Sequence, residues 1–75
     1  MDILERNKAK YAATARRLMA DSLERRADEL VRTAQRWRKR FAGTADDEDL
    51  EDGCQALTLA AMALRDRSSR LRDAP

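Results

Sequence analysis

The stretch C-Q-A-L-T-L-A-A-M-A-L, residues 54–64, decides the fold because it is apolar except for Gln55 and Thr58. A membrane-spanning helix needs about 20 apolar residues, so a stretch of this length is expected to be buried in protein. Ala, Leu and Met lose little rotamer freedom in a helix, and Val, Ile and aromatic residues are absent from the stretch. It therefore predicts an α-helix.

Two faces of this helix carry apolar side chains. One face has the alternating spacing of four and three residues that suits a coiled-coil seam. Its members are Leu50, Cys54, Leu57, Ala61, Leu64, Ser68 and Leu71. The opposite face carries Ala56, Leu59, Met62 and Ala63. A helix that is apolar on both sides needs cover on both sides, so we expect one face to pack within the chain and the other to meet a second chain, either a copy or a different protein.

Composition points to long helices that are helped by a partner. Charged residues make up 40% of the chain, apolar residues 43% and aromatic residues 4%, with two Gly and one Pro, which is typical of solvated helices. A chain of 75 residues buries a marginal core unless a disulfide, a metal or an oligomer helps. The chain has one Cys and no His, so it cannot form an internal disulfide and it lacks the usual zinc-binding motifs. Oligomerisation remains, and no cofactor is expected.

The chain before the acidic segment predicts one long helix, over about residues 3–41. It contains no Gly or Pro, and its apolar residues recur at steps close to the helical repeat. They form a stripe of Leu4, Tyr11, Ala15, Leu18, Met19, Leu23, Ala27, Leu30, Ala34, Trp37 and Phe41. Asp2 is the expected N-cap, and Gly43 follows a basic last turn as the expected left-handed residue. Arg26 falls within the stripe. Either its aliphatic side chain extends along the surface so that the guanidinium reaches solvent, or the buried guanidinium pairs with an acidic residue of the partner chain.

An acidic turn over residues 42–49 leads into a second helix, over about residues 46–71, that starts near Ala45 or Asp46 with Thr44 or Asp46 as its cap. We expect Gly53 to lie inside this helix, and residues 73–75 to fray. The two helices predict an antiparallel hairpin that forms a single domain over residues 1–75. Because Leu71 reaches only to about the level of Leu18, the first helix extends past the second. That overhang exposes Ile3, Leu4, Tyr11 and Ala15, which is an independent reason to expect a partner.

Catalytic groups are scarce, so we expect the chain not to be an enzyme. It has no His, and Cys54 lies on the seam, where a thiol behaves as a small hydrophobe. The acidic run D-D-E-D-L-E-D-G, residues 46–53, lacks the ligand spacing of an EF-hand loop. The chain start, M-D-I-L-E-R, lacks the basic residues and apolar run of a signal peptide, which indicates a cytoplasmic location.

The basic residues of the first helix are distributed unevenly. Up to Glu29 they alternate with acids, at spacings that predict the pairs Arg17–Asp21 and Asp28–Arg32. Beyond Glu29 the helix has no acid, and its bases are Arg32, Arg36, Arg38, Lys39 and Arg40. Clustered bases beside an aromatic residue are typical of nucleic-acid binding. However, Trp37 and Phe41 are in phase with the stripe and the acidic turn is close, so the cluster could instead complement the helix dipole and pair within the chain.

In size and plan the chain resembles two groups of bacterial helical hairpins. One group is the small co-chaperones of type III secretion, which hold a needle subunit together with a second chaperone. The other is the Rop-type plasmid regulators, homodimeric four-helix bundles that bind an RNA pair. The likeness concerns the architecture of the whole chain and transfers no site residues.

The sequence thus predicts an all-α antiparallel helical hairpin that is completed as a bundle by oligomerisation or by a partner chain. We expect a protein-binding adaptor, co-chaperone or assembly factor. Its predicted partner-binding residues are Ile3, Leu4, Tyr11, Ala56, Leu59, Met62 and Ala63. The alternative is a homodimeric RNA- or DNA-binding regulator that uses the basic cluster, residues 32–40.

Overall fold

The computed structural model describes residues 3–44 and 46–74. They form two helices, α1 (Ile3–Phe41) and α2 (Asp47–Asp73), which pack against each other along their length. Contacts of Ala34 with Cys54 and of Ala20 with Ser68 show that the helices run antiparallel. The hairpin is long and narrow, with extents of 63 × 15 × 11 Å. The predicted all-α hairpin is confirmed. Within the described part of the chain, neither helix is long and apolar enough to cross a membrane.

The turn closes as the sequence predicted at Gly43, which has a φ of 77°. The Thr44 amide donates to the Phe41 carbonyl oxygen at 3.0 Å, and the Thr44 hydroxyl donates to the same oxygen at 3.1 Å. These bonds satisfy a carbonyl that the end of α1 leaves without a helical partner. Thr44 therefore belongs to the end of α1 and does not cap α2.

The N-cap of α2 is Asp46, whose Oδ1 accepts a hydrogen bond from the Glu48 amide at 2.9 Å. The acids of the first turn also lie where the positive end of the helix dipole favours them. At the other end α2 continues through Asp73, so the expected fraying from residue 73 is wrong for that residue, and Ala74 is extended. The predictions at Asp2, Ala45 and Pro75 lie outside the described residues.

The core of the hairpin is a seam of small side chains. Ala20, Ala27 and Ala34 of α1 are at most 2% exposed, and they face three α2 residues that are fully buried, Cys54, Ala61 and Ser68. Both sets recur at every seventh position. Because none of these side chains is bulky, the helices approach closely enough for side chains to reach the opposite backbone. The Cys54 thiol donates to the Ala34 carbonyl at 3.5 Å, and the Ser68 hydroxyl lies 3.1 Å from the Ala20 carbonyl.

The predicted seam of α2 is confirmed, since each of its seven members is buried or half-buried. The predicted stripe of α1 is partly wrong. Its middle part holds at Leu23, Ala27, Leu30 and Ala34. Ala20 was missed, and the stripe residues before Ala20, as well as Trp37 and Phe41, are exposed. The stripe advances mostly in steps of four, which rotate around the helix relative to the seven-residue repeat of a packed pair. The same rotation carries Arg26 off the seam to an exposed position.

Gly53 lies inside α2, as predicted, and a side chain there is tolerated. A Cβ atom on Gly53 would lie 3.5 Å from Trp37 Cζ3 and 3.8 Å from Cε3, which is ordinary van der Waals contact. Gly53→Ala should therefore raise the free energy of unfolding by about 1 kcal/mol, because Ala loses less backbone entropy than Gly in a helix. Thermal denaturation followed by circular dichroism measures this change.

Gly43→Ala provides the matched control. At a φ of 77° an Ala side chain is strained, so this variant should melt at a lower temperature than the wild type. A lower melting temperature for Gly53→Ala would contradict the packing of Trp37 against residue 53.

Candidate protein-binding surface

Three ion pairs between the helices lie on one side of the seam, which we call the polar flank. Arg38 pairs with Glu51 at 3.1 Å, Arg65 with Asp28 at 3.0 Å and Arg72 with Glu24 at 3.0 Å. The three α2 members fall on one heptad line, at residues 51, 65 and 72. All these side chains are at least one-third exposed, so each pair contributes little stability by itself. Together they define the polar flank.

The opposite side of the seam is apolar, and we call it the leucine flank. It consists of Leu50, Leu57, Leu64 and Leu71 of α2 with Leu23, Leu30 and Trp37 of α1, each set at seven-residue steps. The contact between Gly53 and Trp37 places the two sets on the same side. The leucines are half-buried, and Trp37 is 38% exposed. The hairpin alone therefore covers this flank only in part.

The outer face of α2 carries the four residues that were predicted to bind a partner. Ala56 and Ala63 are exposed, and Leu59 and Met62 are 57% and 58% exposed. These four positions lie away from the seam with α1. The structure thus brings them together on one accessible surface in the most apolar part of the chain.

The predicted overhang is also present. Leu71 and Ala74, at the end of α2, lie beside Ala13 and Arg17, so the first ten described residues of α1 extend past α2. Ile3, Leu4 and Tyr11 in this segment are 74%, 66% and 74% exposed. Leu71 lies at about the level of Arg17, close to the expected level of Leu18.

Two more exposed apolar residues, Leu18 and Met19, continue the overhang surface toward the middle of α1, at 60% and 55% exposure. The spacing of apolar residues predicts both as members of the buried stripe, and this prediction is wrong for both. A signal for Leu18 was present, because Leu4, Tyr11 and Leu18 recur at seven-residue steps on a line separate from that of Ala20 and Ala27.

The basic cluster near the end of α1 lines two shallow depressions that share Arg36 and Lys39. Arg32, Arg36, Arg38 and Lys39 line one of them with Gln35, and Arg36, Lys39 and Arg40 line the other with Trp37 and Phe41. The Arg40 guanidinium lies 5.8 Å from the Phe41 ring centroid. Arg38 is bound to Glu51, and Arg36 donates to the Thr33 hydroxyl at 3.1 Å. Trp37 and Phe41 are 38% and 39% exposed, so their rings are covered less than their place in the apolar stripe predicts.

The ion pairs predicted within α1 are replaced by pairs with α2. Asp21 was expected to meet Arg17, but it pairs with Arg72. Asp28 was expected to meet Arg32, but it pairs with Arg65. The reason is that α2 presents its own arginines along the polar flank, where they compete with neighbours on α1.

The open end of the hairpin is held by a polar group that we call the Arg72 clamp: Asp21, Glu24, Ser68 and Arg72. Arg72 Nε donates to Glu24 Oε1 at 3.1 Å and Nη2 donates to Oε2 at 3.0 Å, a two-point contact. The Ser68 hydroxyl lies 3.0 Å from Oε1. Hydrogen bonds from Arg72, and secondly from Ser68, hold the pKa of Glu24 below its ordinary value. The same contact with Glu24, and then that with Asp21, raises the pKa of Arg72.

No group of three or more possible metal ligands clusters among residues 3–44 and 46–74. Comparison with known proteins finds no matching family, no matching curated protein and no matching solved structure. The class that the geometry defines is a helical hairpin with a close-packed small-residue seam, one polar flank and several exposed apolar surfaces.

Proposed function

We propose that this chain is a protein-binding hairpin, acting as a small adaptor, co-chaperone or assembly factor. The observation that carries the proposal is the exposure of Leu59 and Met62, 57% and 58%, in the centre of the most apolar helix. Burying a large apolar side chain contributes about 1.5–3 kcal/mol, so two such residues with their alanine neighbours form an effective contact surface. The overhang residues Ile3, Leu4 and Tyr11 form a second exposed apolar surface at the open end of the hairpin.

The spacing of the outer face favours a helix as the partner element. Ala56, Leu59 and Ala63 follow one another at steps of three and four residues, which is the repeat of a coiled-coil seam. The two alanines beside Leu59 permit close approach of a second backbone, as Ala27 and Ala61 do inside the hairpin. The partner is therefore expected to present a helix with an apolar stripe.

Substitution of the outer face tests the proposal. Leu59→Asp and Met62→Asp should each weaken partner binding at least about tenfold, because docking would bury a carboxylate without a counter-ion. The measurement is chemical cross-linking of the tagged chain in its source cells, followed by mass spectrometry of the captured proteins. Circular dichroism checks that helix content is unchanged.

Ser69→Asp is the matched control, since residue 69 lies seven positions after Met62 on the same line of α2 but beyond the apolar patch. It should capture the same partner as the wild type. If both outer-face variants also capture that partner at the wild-type level, the assignment of this face is wrong.

Nucleic-acid binding by a homodimer is the second candidate function, and it is favoured by the grouping of Arg32, Arg36 and Lys39 around one depression. Binding of RNA or DNA should then fall steeply with salt, because phosphate contacts release counter-ions. Charge reversal at both Arg36 and Arg40 should weaken binding, whereas reversal at the α2 residue Arg67 should not. Unchanged binding after the double reversal would contradict this function.

A further inference from the structure

We infer that the leucine flank is a homodimer interface on which a second copy of the chain docks antiparallel, giving a four-helix bundle. This surface is distinct from the outer face of α2. The inference therefore goes beyond the proposed protein-binding function, and either can fail without the other.

The first support is the asymmetry of the two flanks. The ion pairs Arg38–Glu51, Arg65–Asp28 and Arg72–Glu24 lie on the polar flank, while the leucine flank carries seven large apolar side chains in two heptad lines. The half-buried leucines recur at regular steps, with gaps between them. The leucines of a second copy have the same spacing, so they can pack into those gaps as knobs into holes. A second copy thus offers a surface of the same length and the same apolar character.

The second support is size. A helix of 27 residues, as α2 is, runs about 40 Å, and two adjacent helices are about 20 Å wide. The side of the hairpin that carries the flank therefore has a footprint of about 800 Å² per chain, with the seven apolar side chains along its middle, and this footprint matches one partner's share of a standard stable interface. A crystal-packing or transient contact would require less surface than this.

Charge decides the orientation of the two copies. The open end, residues 3–17, carries five bases and one acid, whereas the closed end, residues 36–52, carries six acids and four bases. One of those bases, Arg38, is already paired with Glu51. A parallel dimer would place like-charged ends together, and an antiparallel dimer places each basic open end beside an acidic closed end. Because the Debye length is about 8 Å at physiological salt, this preference is expected to weaken as salt rises.

The extent of the flank sets the register. Leu71 lies level with Arg17, and Trp37 is the last α1 member of the flank, so the flank is centred near residue 27 of α1. Superposing the centres of two antiparallel copies places residue 14 of one chain at the level of residue 40 of the other, about one helical turn from Thr44. Thr14 and Thr44 are both exposed and can carry probes.

The experiment measures mass and then orientation on the full-length purified chain. Light scattering should give twice the chain mass of 8.6 kDa. For orientation, Thr14→Cys and Thr44→Cys are made separately in a Cys54→Ser background, mixed and treated with a short bis-maleimide. The mixture should form cross-linked dimers, and either variant alone should form at least fivefold fewer.

Either of two results would overturn the inference: a monomeric mass at low salt, or efficient cross-linking of Thr44→Cys with itself, which indicates a parallel arrangement. Trp37→Lys should weaken the dimer at least tenfold, whereas Leu59→Lys on the outer face should leave its mass unchanged. Should Trp37→Lys fail to fold, the cross-linking result still decides. A monomer that captures a partner through Leu59 overturns this inference alone, whereas a dimer that captures none overturns only the proposed function.

Discussion

Replacing Ala61 with Leu should lower the free energy of unfolding by about 1–3 kcal/mol, the usual effect of overpacking a filled site. Ala61 is fully buried, and the contacts on either side of it place Ala27 opposite. A Leu side chain can fit only if the helices separate, which also breaks the contacts of Cys54 and Ser68 with the α1 backbone. For a small domain with marginal stability, that loss is a large share of the total. Urea unfolding followed by circular dichroism measures it.

Ala63→Leu is the control for this prediction. It makes the same change two residues later on the same helix, at an exposed position. Its free energy of unfolding should stay within about 0.5 kcal/mol of the wild type, as for most surface substitutions. Equal losses in the two variants, or no loss in Ala61→Leu, would show that the small-residue seam does not set the distance between the helices.

Arg72→Glu should open the free end of the hairpin. It replaces the guanidinium that pairs with Glu24 and Asp21 with a third carboxylate. These two acids then repel residue 72, whereas they attract the arginine of the wild type. Amide hydrogen exchange should accelerate over residues 66–73, while residues 54–61 retain wild-type protection. The control is Arg70→Glu: Arg70 pairs with Asp66 at 2.7 Å within α2, so its reversal breaks no contact with α1.

Acid provides a second test of the Arg72 clamp. Since the pKa of Glu24 in the folded chain is lowered from 4.5, its pairing stabilises the fold above that value and is lost as pH falls through the lowered pKa. Acid also removes the repulsion between neighbouring carboxylates in Arg72→Glu. The stabilities of wild type and variant should therefore converge as pH falls through the lowered pKa of Glu24. A difference that persists unchanged in acid would mean that these charges do not act on one another.

Much of the fold could be predicted from sequence because α2 has one face with a clear repeat and α1 has no internal Gly or Pro. The register of α1 could not, because alanines occupy several faces of that helix, including positions 12, 13, 15 and 20. Both Ala15 and Ala20 are alanines, so residue type alone does not show that Ala20 is buried and Ala15 is exposed. Only pairing with Cys54, Ala61 and Ser68 selects one of the possible lines.

The candidate surface was predictable to the extent that it depends on a single helix. Periodicity alone placed Leu59 and Met62 away from the seam, and they are exposed. The ion pairs depended on the second helix, so local spacing assigned them wrongly. Asp28 meets Arg65, which is 37 residues away in sequence, although Arg32 is only four residues away. The leucine flank likewise emerges only when the heptad lines of both helices are placed side by side.

The position of Cys54 has a practical consequence. Its sulfur is fully buried against α1, so a thiol reagent reaches it only after the helices part. The rate of labelling of the unaltered chain therefore reports the free energy of local opening, provided that reclosing is faster than the reaction. The labelling rate of this single thiol thus follows the local separation of the two helices. Any ligand that holds the helices together should lower that rate.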